Sequence, residues 1–245
     1  MFTKARQSLL VDSVVEQIEE AVVRGLLKPG DKLPPTDELQ ASFGASRGTL
    51  REAFRVLRQK GLLRAKAGAG GGIFIRPISS APVKEGLGLL IRAGRIELKD
   101  LTDFREGLEG YAAELAAGKT DRNGYGVLES LLEKLKELSR QGPGRWSEFH
   151  AVEASLHQEL VRLTENPLFE LTVITVHENI GGYYRRYLPK SQDILDRNCR
   201  DWSVLIKALQ ESRTGEAGRI MREHIRWSNR EMITSRGEEA AEDRP

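Results

Sequence analysis

The chain has 245 residues, 39% hydrophobic and 30% charged, with 38 Lys/Arg against 36 Asp/Glu. That length predicts two domains, each able to bury its own core, and the composition is that of an ordinary water-soluble globular protein. A single cysteine, Cys199, excludes an internal disulfide and a CxxC zinc site. No apolar run approaches the roughly 20 residues that span a bilayer, and the start MFTKARQSLLVDSVVEQ turns acidic and amphipathic too early for a secretory signal, so a cytoplasmic location is expected.

Charge is unevenly placed, since residues 1–79 hold 13 Lys/Arg and 8 Asp/Glu while the remainder holds 25 and 28. Leu9 to Val23 reads as a first helix, because Val11, Val14, Val15, Ile18, Ala21 and Val22 recur at helical spacing, and Gly25 and Pro29 end it. In GDKLPPTDELQASFG, Pro34 and Pro35 fix an extended approach, a short second helix begins at Thr36, and Gly44 supplies a turn. Ser46 is the expected N-cap of a third helix, with Thr49 at its third position. LLRAKAGAGGGIFIRP then reads as two short β-prone runs around a glycine-rich tip.

The expected fold is therefore mainly α: a winged helix-turn-helix over 9–77, with the hairpin as wing, and a linker over 78–86 in ISSAPVKEG. Amphipathic segments at about 90–97, 100–118, 124–140, 146–164, 167–188, 192–212 and 215–234 predict an all-helical antiparallel bundle over 87–235. The charged RGEEAAEDRP lacks an apolar face and predicts a disordered tail over 236–245.

The third helix carries the most information. Arg47, Arg51, Arg55 and Arg58 fall at i, i+4, i+8 and i+11, while Leu50, Ala53, Phe54 and Leu57 form an apolar seam. A helix docked by that seam holds up a row of guanidiniums suited to phosphates and to guanine edges in a DNA major groove. Only Glu52 interrupts the basic window from Arg47 to Lys66, so the ion pairing usual on a surface helix is expected to be largely missing.

GLLKPGDKLPPTDELQASFGASRGTLREAFRVLRQKGLL, followed by GAGGGIFI, resembles the DNA-binding domain of the GntR family of bacterial regulators over about residues 9–77. The resemblance implies that this helix enters the major groove and that the wing tip touches the minor groove. By it Ser46, Arg47, Thr49 and Arg51 contact DNA and Gly68 does so at the wing; Lys66 is a further candidate, and Arg55 and Arg58, further along the helix, track the backbone or remain solvated. Ser46 and Thr49 are expected to bond phosphate. Where the family carries an acidic residue and then Arg, this chain has Thr36 and Asp37, so a DNA contact from the second helix is expected to be absent.

The second half resembles the effector domain of the FadR-type branch of that family, through LKDLTDFREGLEGYAAELAA, EASLHQELVRLTEN and DWSVLIKALQESRTGEAGRIMREHI. That resemblance implies a helical, often dimeric bundle whose cavity, in many members, holds a divalent metal on one Asp and three His and binds a small carboxylate. The four ligand positions fall here on Glu153, His157, Trp202 and His224. Indole offers an N–H donor and no lone pair, so one ligand is lost and at most Glu153, His157 and His224 remain for a zinc-like ion. Arg105 is the expected grip for an effector carboxylate, the alternative being a surface pair with Glu109; His150 and His177 match no landmark and are expected to be structural.

The resulting expectation is a homodimeric, sequence-specific regulator, a repressor, whose affinity for double-stranded operator DNA responds to a small carboxylate metabolite at Arg105, Glu153, His157, Trp202 and His224. The alternative is a metal-dependent hydrolase or isomerase using Glu153, His157 and His224. With four histidines and neither a nucleophile elbow nor a phosphate loop, an enzyme is not expected. No cofactor is required and no membrane partner is expected.

Overall fold

A computed structural model describes residues 8–119 and 124–242. It divides after Val83 into two compact units.

In the first unit α1 (Ser8–Val23), α2 (Thr36–Phe43) and α3 (Arg47–Gln59) precede β1 (Leu63–Lys66) and β2 (Gly72–Ile75). Val14, Val15, Ile18 and Val22 of α1 meet Leu50, Ala53, Phe54 and Leu57 of α3, all buried. Burying a side chain of this size contributes about 1.5–3 kcal/mol, so the seam anchors α3 and leaves its opposite face to water. The hairpin is antiparallel, with Leu63 opposite Ile75 and Lys66 opposite Gly72. A third extended segment joins it, Leu33 N–H donating to Ile73 O (2.8 Å) and Ile75 N–H to Asp31 O (2.8 Å), with Lys32 bridging to Phe74. That addition has no apolar alternation of its own to announce it.

The second unit contains α5 (Leu98–Ala117), α6 (Tyr125–Arg140), α7 (Trp146–Arg162), α8 (Pro167–Tyr187), α9 (Gln192–Gln210) and α10 (Thr214–Glu242), with α4 (Ala81–Arg92) crossing the division between units. Leu128, Leu135, Phe149, Leu156, Leu160, Trp202, Leu205, Leu209 and Met221 fill one core. Helices α5 and α10 approach closely because α5 turns Ala113, Ala116 and Ala117 inward. A Cβ on Gly110 would lie 2.6 Å from the Arg222 side chain, which crosses that glycine to reach Glu114 at 2.8 Å.

The division after Val83 falls within the expected linker 78–86, and the helical backbone differs from the expected elements at two places. The segment taken as a linker begins α4, with Ser79 Oγ accepting from Ala81 N–H (3.1 Å) and Pro82 in the first turn, where its missing N–H costs nothing. Helix 90–97 is thereby replaced by Ala81–Arg92, and Gly94 at φ 66° ends it. At the other end α10 carries helical backbone through 236–242, where disorder was expected. Glu and Ala are good helix formers even without an apolar stripe. Residues 243–245, and 120–123 of the loop expected at 118–124, lie outside the described residues.

Candidate functional site

The N-terminus of α3 is built by its cap. Ser46 is extended (φ −69°, ψ 159°), its Oγ accepts from Thr49 N–H at 3.1 Å, and the two hydroxyls lie 2.9 Å apart. Thr49 is buried, so its hydroxyl completes the cap instead of facing a phosphate.

Arg47, Arg51, Arg55 and Arg58 are all exposed, but they are not equivalent. Arg47, Arg51 and Arg58 line a concave surface of about 650 Å³ with Thr36, Asp37, Gly48, Phe54 and Ile73. Gly48 leaves room between the first two. Among the described residues Arg51 and Arg58 have no ion-pair partner, which leaves all their donors available. Arg55 lies outside this surface and is closed by Glu52, its Nε standing 3.0 Å from both carboxylate oxygens. Arg47 donates to Asp37 Oδ1 (2.6 Å) and Gln40 Oε1 (3.3 Å). Pairing absent from the expected picture is thus present at two of the four arginines. Lys66 ends β1 and Gly68, at φ 87°, lies in the exposed tip that follows.

The helical unit encloses a second polar array. On α5, Arg105 is 3% exposed and donates through Nε to Glu109 Oε1 (2.6 Å) and through Nη1 to the Tyr184 hydroxyl on α8. Both expectations for Arg105 are therefore half met: it lies inside, and its carboxylate partner is the chain's own Glu109. Glu109 also meets His157 Nδ1 at 2.5 Å and His177 Nε2 at 3.1 Å. Glu153, one turn before His157 on α7, holds His157 Nε2 at 2.8 Å and His224 Nε2 at 3.3 Å, and His224 Nδ1 reaches Asp201 at 3.2 Å. His177, expected to be merely structural and without a landmark, thus belongs to this array. Nothing in its sequence spacing relative to Glu109, 68 residues away, could have shown it.

Electrostatics follow from these contacts. Burial pushes the Glu109 carboxyl upward, but Arg105 and the two histidines outweigh it and hold it well below the usual carboxylate range; His157 and its neighbours do the same for Glu153. Burial pushes His177 down to about 4, keeping it neutral. Burial opposes charge on His224 as well, but Asp201 and Glu153 overcome that and raise it to about 9. Arg105 and the His224 imidazolium thus offset Glu109 and Glu153 within the interior.

A metal fits this donor set poorly. Trp202 is buried edge-on to His157 (ring centroids 4.9 Å) at the position where a fourth ligand would sit. His224 has both ring nitrogens on carboxylates, Glu153 at 3.3 Å and Asp201 at 3.2 Å, so a metal would have to displace one of these contacts and the proton that they favour. Glu153, His157 and His224 come together, as do Glu109, His157 and His177, each set with its ligand atoms within 4.8 Å of one another, and imidazole–carboxylate contacts run through both sets.

A winged helix-turn-helix with a basic concave face, followed by an all-helical domain, defines a one-component transcriptional regulator. Residues 10–75 match the bacterial regulatory proteins of the gntR family and residues 100–226 match the FCD domain. The chain belongs to the GntR family and carries an FCD effector domain. It is 28% identical over 229 residues to the Glc operon transcriptional activator of Escherichia coli K12, covering 89% of this chain and 86% of that protein. It is 31% identical over 164 residues to the HTH-type transcriptional regulator LutR of Bacillus subtilis, covering 64% and 73%. With the HTH-type transcriptional repressor NanR of Klebsiella aerogenes it shares 27% over 228 residues, 89% and 83% of the two chains. A solved Streptococcus agalactiae GntR shares the fold, with TM-score 0.66 at 22% identity over 90% of this chain and 99% of that one. These families and relatives are regulators, not enzymes. No helix among the described residues is long and apolar enough to cross a membrane.

Proposed function

We propose that this chain acts in the cytoplasm as a homodimeric repressor that reads operator DNA with the start of α3 and is released by a small carboxylate metabolite held in the helical unit. The observation that carries the DNA reading is the shared concave face of Arg47, Arg51 and Arg58, where Arg51 keeps every donor free. A guanidinium in that state suits a bidentate contact with guanine. Dimerisation is supported by an uncovered apolar stripe on α5, with Phe104 at 41% and Tyr111 at 49% exposure and half-buried Leu108 and Leu115 between and beyond them, and by Leu168 at 65% on α8. A helix-turn-helix dimer reads two half-sites, which multiplies specificity. A ligand that favours one state by about 1–3 kcal/mol changes operator affinity roughly 5- to 150-fold.

The test is selection of fragments from the source genome by the purified full chain, followed by titration of the winner. Arg51→Ala should cost about 1–3 kcal/mol on the selected fragment and little on random DNA. Equal affinity of both proteins for the selected fragment would remove Arg51 from base reading, and no selection at all would remove the function.

A further inference from the structure

Arg105 is already matched by Glu109, so a ligand anion in the helical unit needs a different cation. Between α7 and α8 lies a cleft of about 210 Å³ lined by Trp146, His150 and Ala154 on one side and His177, Gly181 and Arg185 on the other. Four buried ring nitrogens on these residues have no hydrogen-bond partner among the described residues: Trp146 Nε1, both nitrogens of His150, and His177 Nδ1. His150 Nδ1 stands 3.9 Å from Glu153 Oε2, beyond hydrogen-bonding distance. Buried polar atoms are ordinarily paired, and such a concentration of unpaired ones marks a place where something polar is missing.

The chemistry of the missing partner can be read from the donors. His177 Nε2 faces a carboxylate at 3.1 Å and so carries the proton, leaving Nδ1 as a lone-pair acceptor. Trp146 offers a donor, and the two ring nitrogens of His150 add further polar sites. The walls are flat: His150 stacks on Tyr184 (5.4 Å, 9°) and Trp146 meets His150 edge-on (4.5 Å). At the mouth Arg185 is exposed, has no ion-pair partner among the described residues, and places Nη1 3.6 Å from where a Cβ on Gly181 would be. The volume is below the roughly 300–1,000 Å³ of drug-sized sites, which limits the occupant to about one ring.

We propose that this cleft is the effector site and takes a small aromatic carboxylate bearing a hydroxyl or amino group, its ring against the aromatic wall, its N–H or O–H toward His177 Nδ1 and its carboxylate on Arg185. The inference rests on the reading of the helical unit as a ligand sensor, and it assigns binding to His150, His177, Trp146 and Arg185 instead of Arg105. It is tested by titrating the full chain with 4-hydroxybenzoate, salicylate and anthranilate, with benzoate as the analogue lacking the second polar group. At least one of the three should bind saturably and quench tryptophan fluorescence, benzoate should bind about tenfold more weakly, and both Arg185→Ala and Gly181→Leu should weaken binding at least tenfold while the circular dichroism stays unchanged. Binding of none of the three, or binding equally strong in both variants, overturns the proposal. Operator selection by the ligand-free chain is measured alongside. Selective DNA binding without probe binding sinks this site alone, and probe binding without selective DNA binding keeps the site and sinks the regulator reading.

Discussion

Glu109→Ala should be among the most damaging single substitutions in the helical unit. Its carboxylate is fully buried and lies 2.6 Å from Arg105 Nε, 2.5 Å from His157 and 3.1 Å from His177. Removing it leaves a 3% exposed guanidinium whose remaining hydrogen bond among the described residues goes to the Tyr184 hydroxyl, and breaking a buried pair in this way costs about 3–5 kcal/mol. Against a domain stability of roughly 5–15 kcal/mol that is a large share. Urea unfolding followed by tryptophan fluorescence is the assay, because Trp146, Trp202 and Trp227 all lie in the helical unit and report it separately from the DNA-binding unit. The midpoint should fall with the slope unchanged. Arg105→Met combined with Glu109→Leu should recover most of the loss, since the stranded charge is gone. A cost below about 1 kcal/mol, or a double variant as unstable as the single one, would refute the argument that Glu109 is the internal counter-ion.

Two further outcomes follow from the same contacts. In chelator-treated protein the stability of the helical unit should peak near the ordinary histidine pKa of about 6.5. His177, pushed down to about 4 in the folded state, binds its proton more readily when unfolded, so stability falls as pH drops from there toward 4; His224, raised to about 9, holds its proton more firmly when folded, so stability falls as pH climbs toward 9. Fluorescence-monitored melting across pH 4–10 checks the shape, and a profile flat across that range contradicts it. On the DNA-binding unit, Asp37→Asn should free Arg47 and steepen the salt dependence of DNA affinity by about one counter-ion, read from the slope of log K against log salt, while an unchanged slope would mean Arg47 never reaches the backbone.

Periodicity and caps carried most of the fold. The α3 seam at Leu50, Ala53, Phe54 and Leu57, the Ser46 cap and the existence of the hairpin are local, and local rules read them, while its register was not legible. Residues 81–86 misled because Pro82 punctuates a loop and opens a helix equally well, and only Ser79 turning back to Ala81 decides between them. At the interface the arginine spacing was legible and its inequality was not: Asp37, ten residues before Arg47, and Glu52 close two of the guanidiniums through side-chain rotamers that no pattern encodes. In the helical unit, Glu153 and His157 are one helical turn apart and could be paired on paper. Glu109, His177 and His224 come from three different helices, so their meeting depends on tertiary packing. Nor does the tryptophan at 202, read as a lost ligand, announce that a histidine between two carboxylates and an arginine balance the interior charge.

Guanine N7 lies in the major groove, so methylation interference on the selected fragment asks most directly whether the α3 arginines read bases. The account predicts discrete guanines whose methylation blocks binding, grouped in two half-sites about 34–36 Å or a multiple apart, with at least one position in each half-site losing its effect in Arg51→Ala. Binding that is indifferent to which guanines are methylated, or a pattern identical in the two proteins, would contradict it.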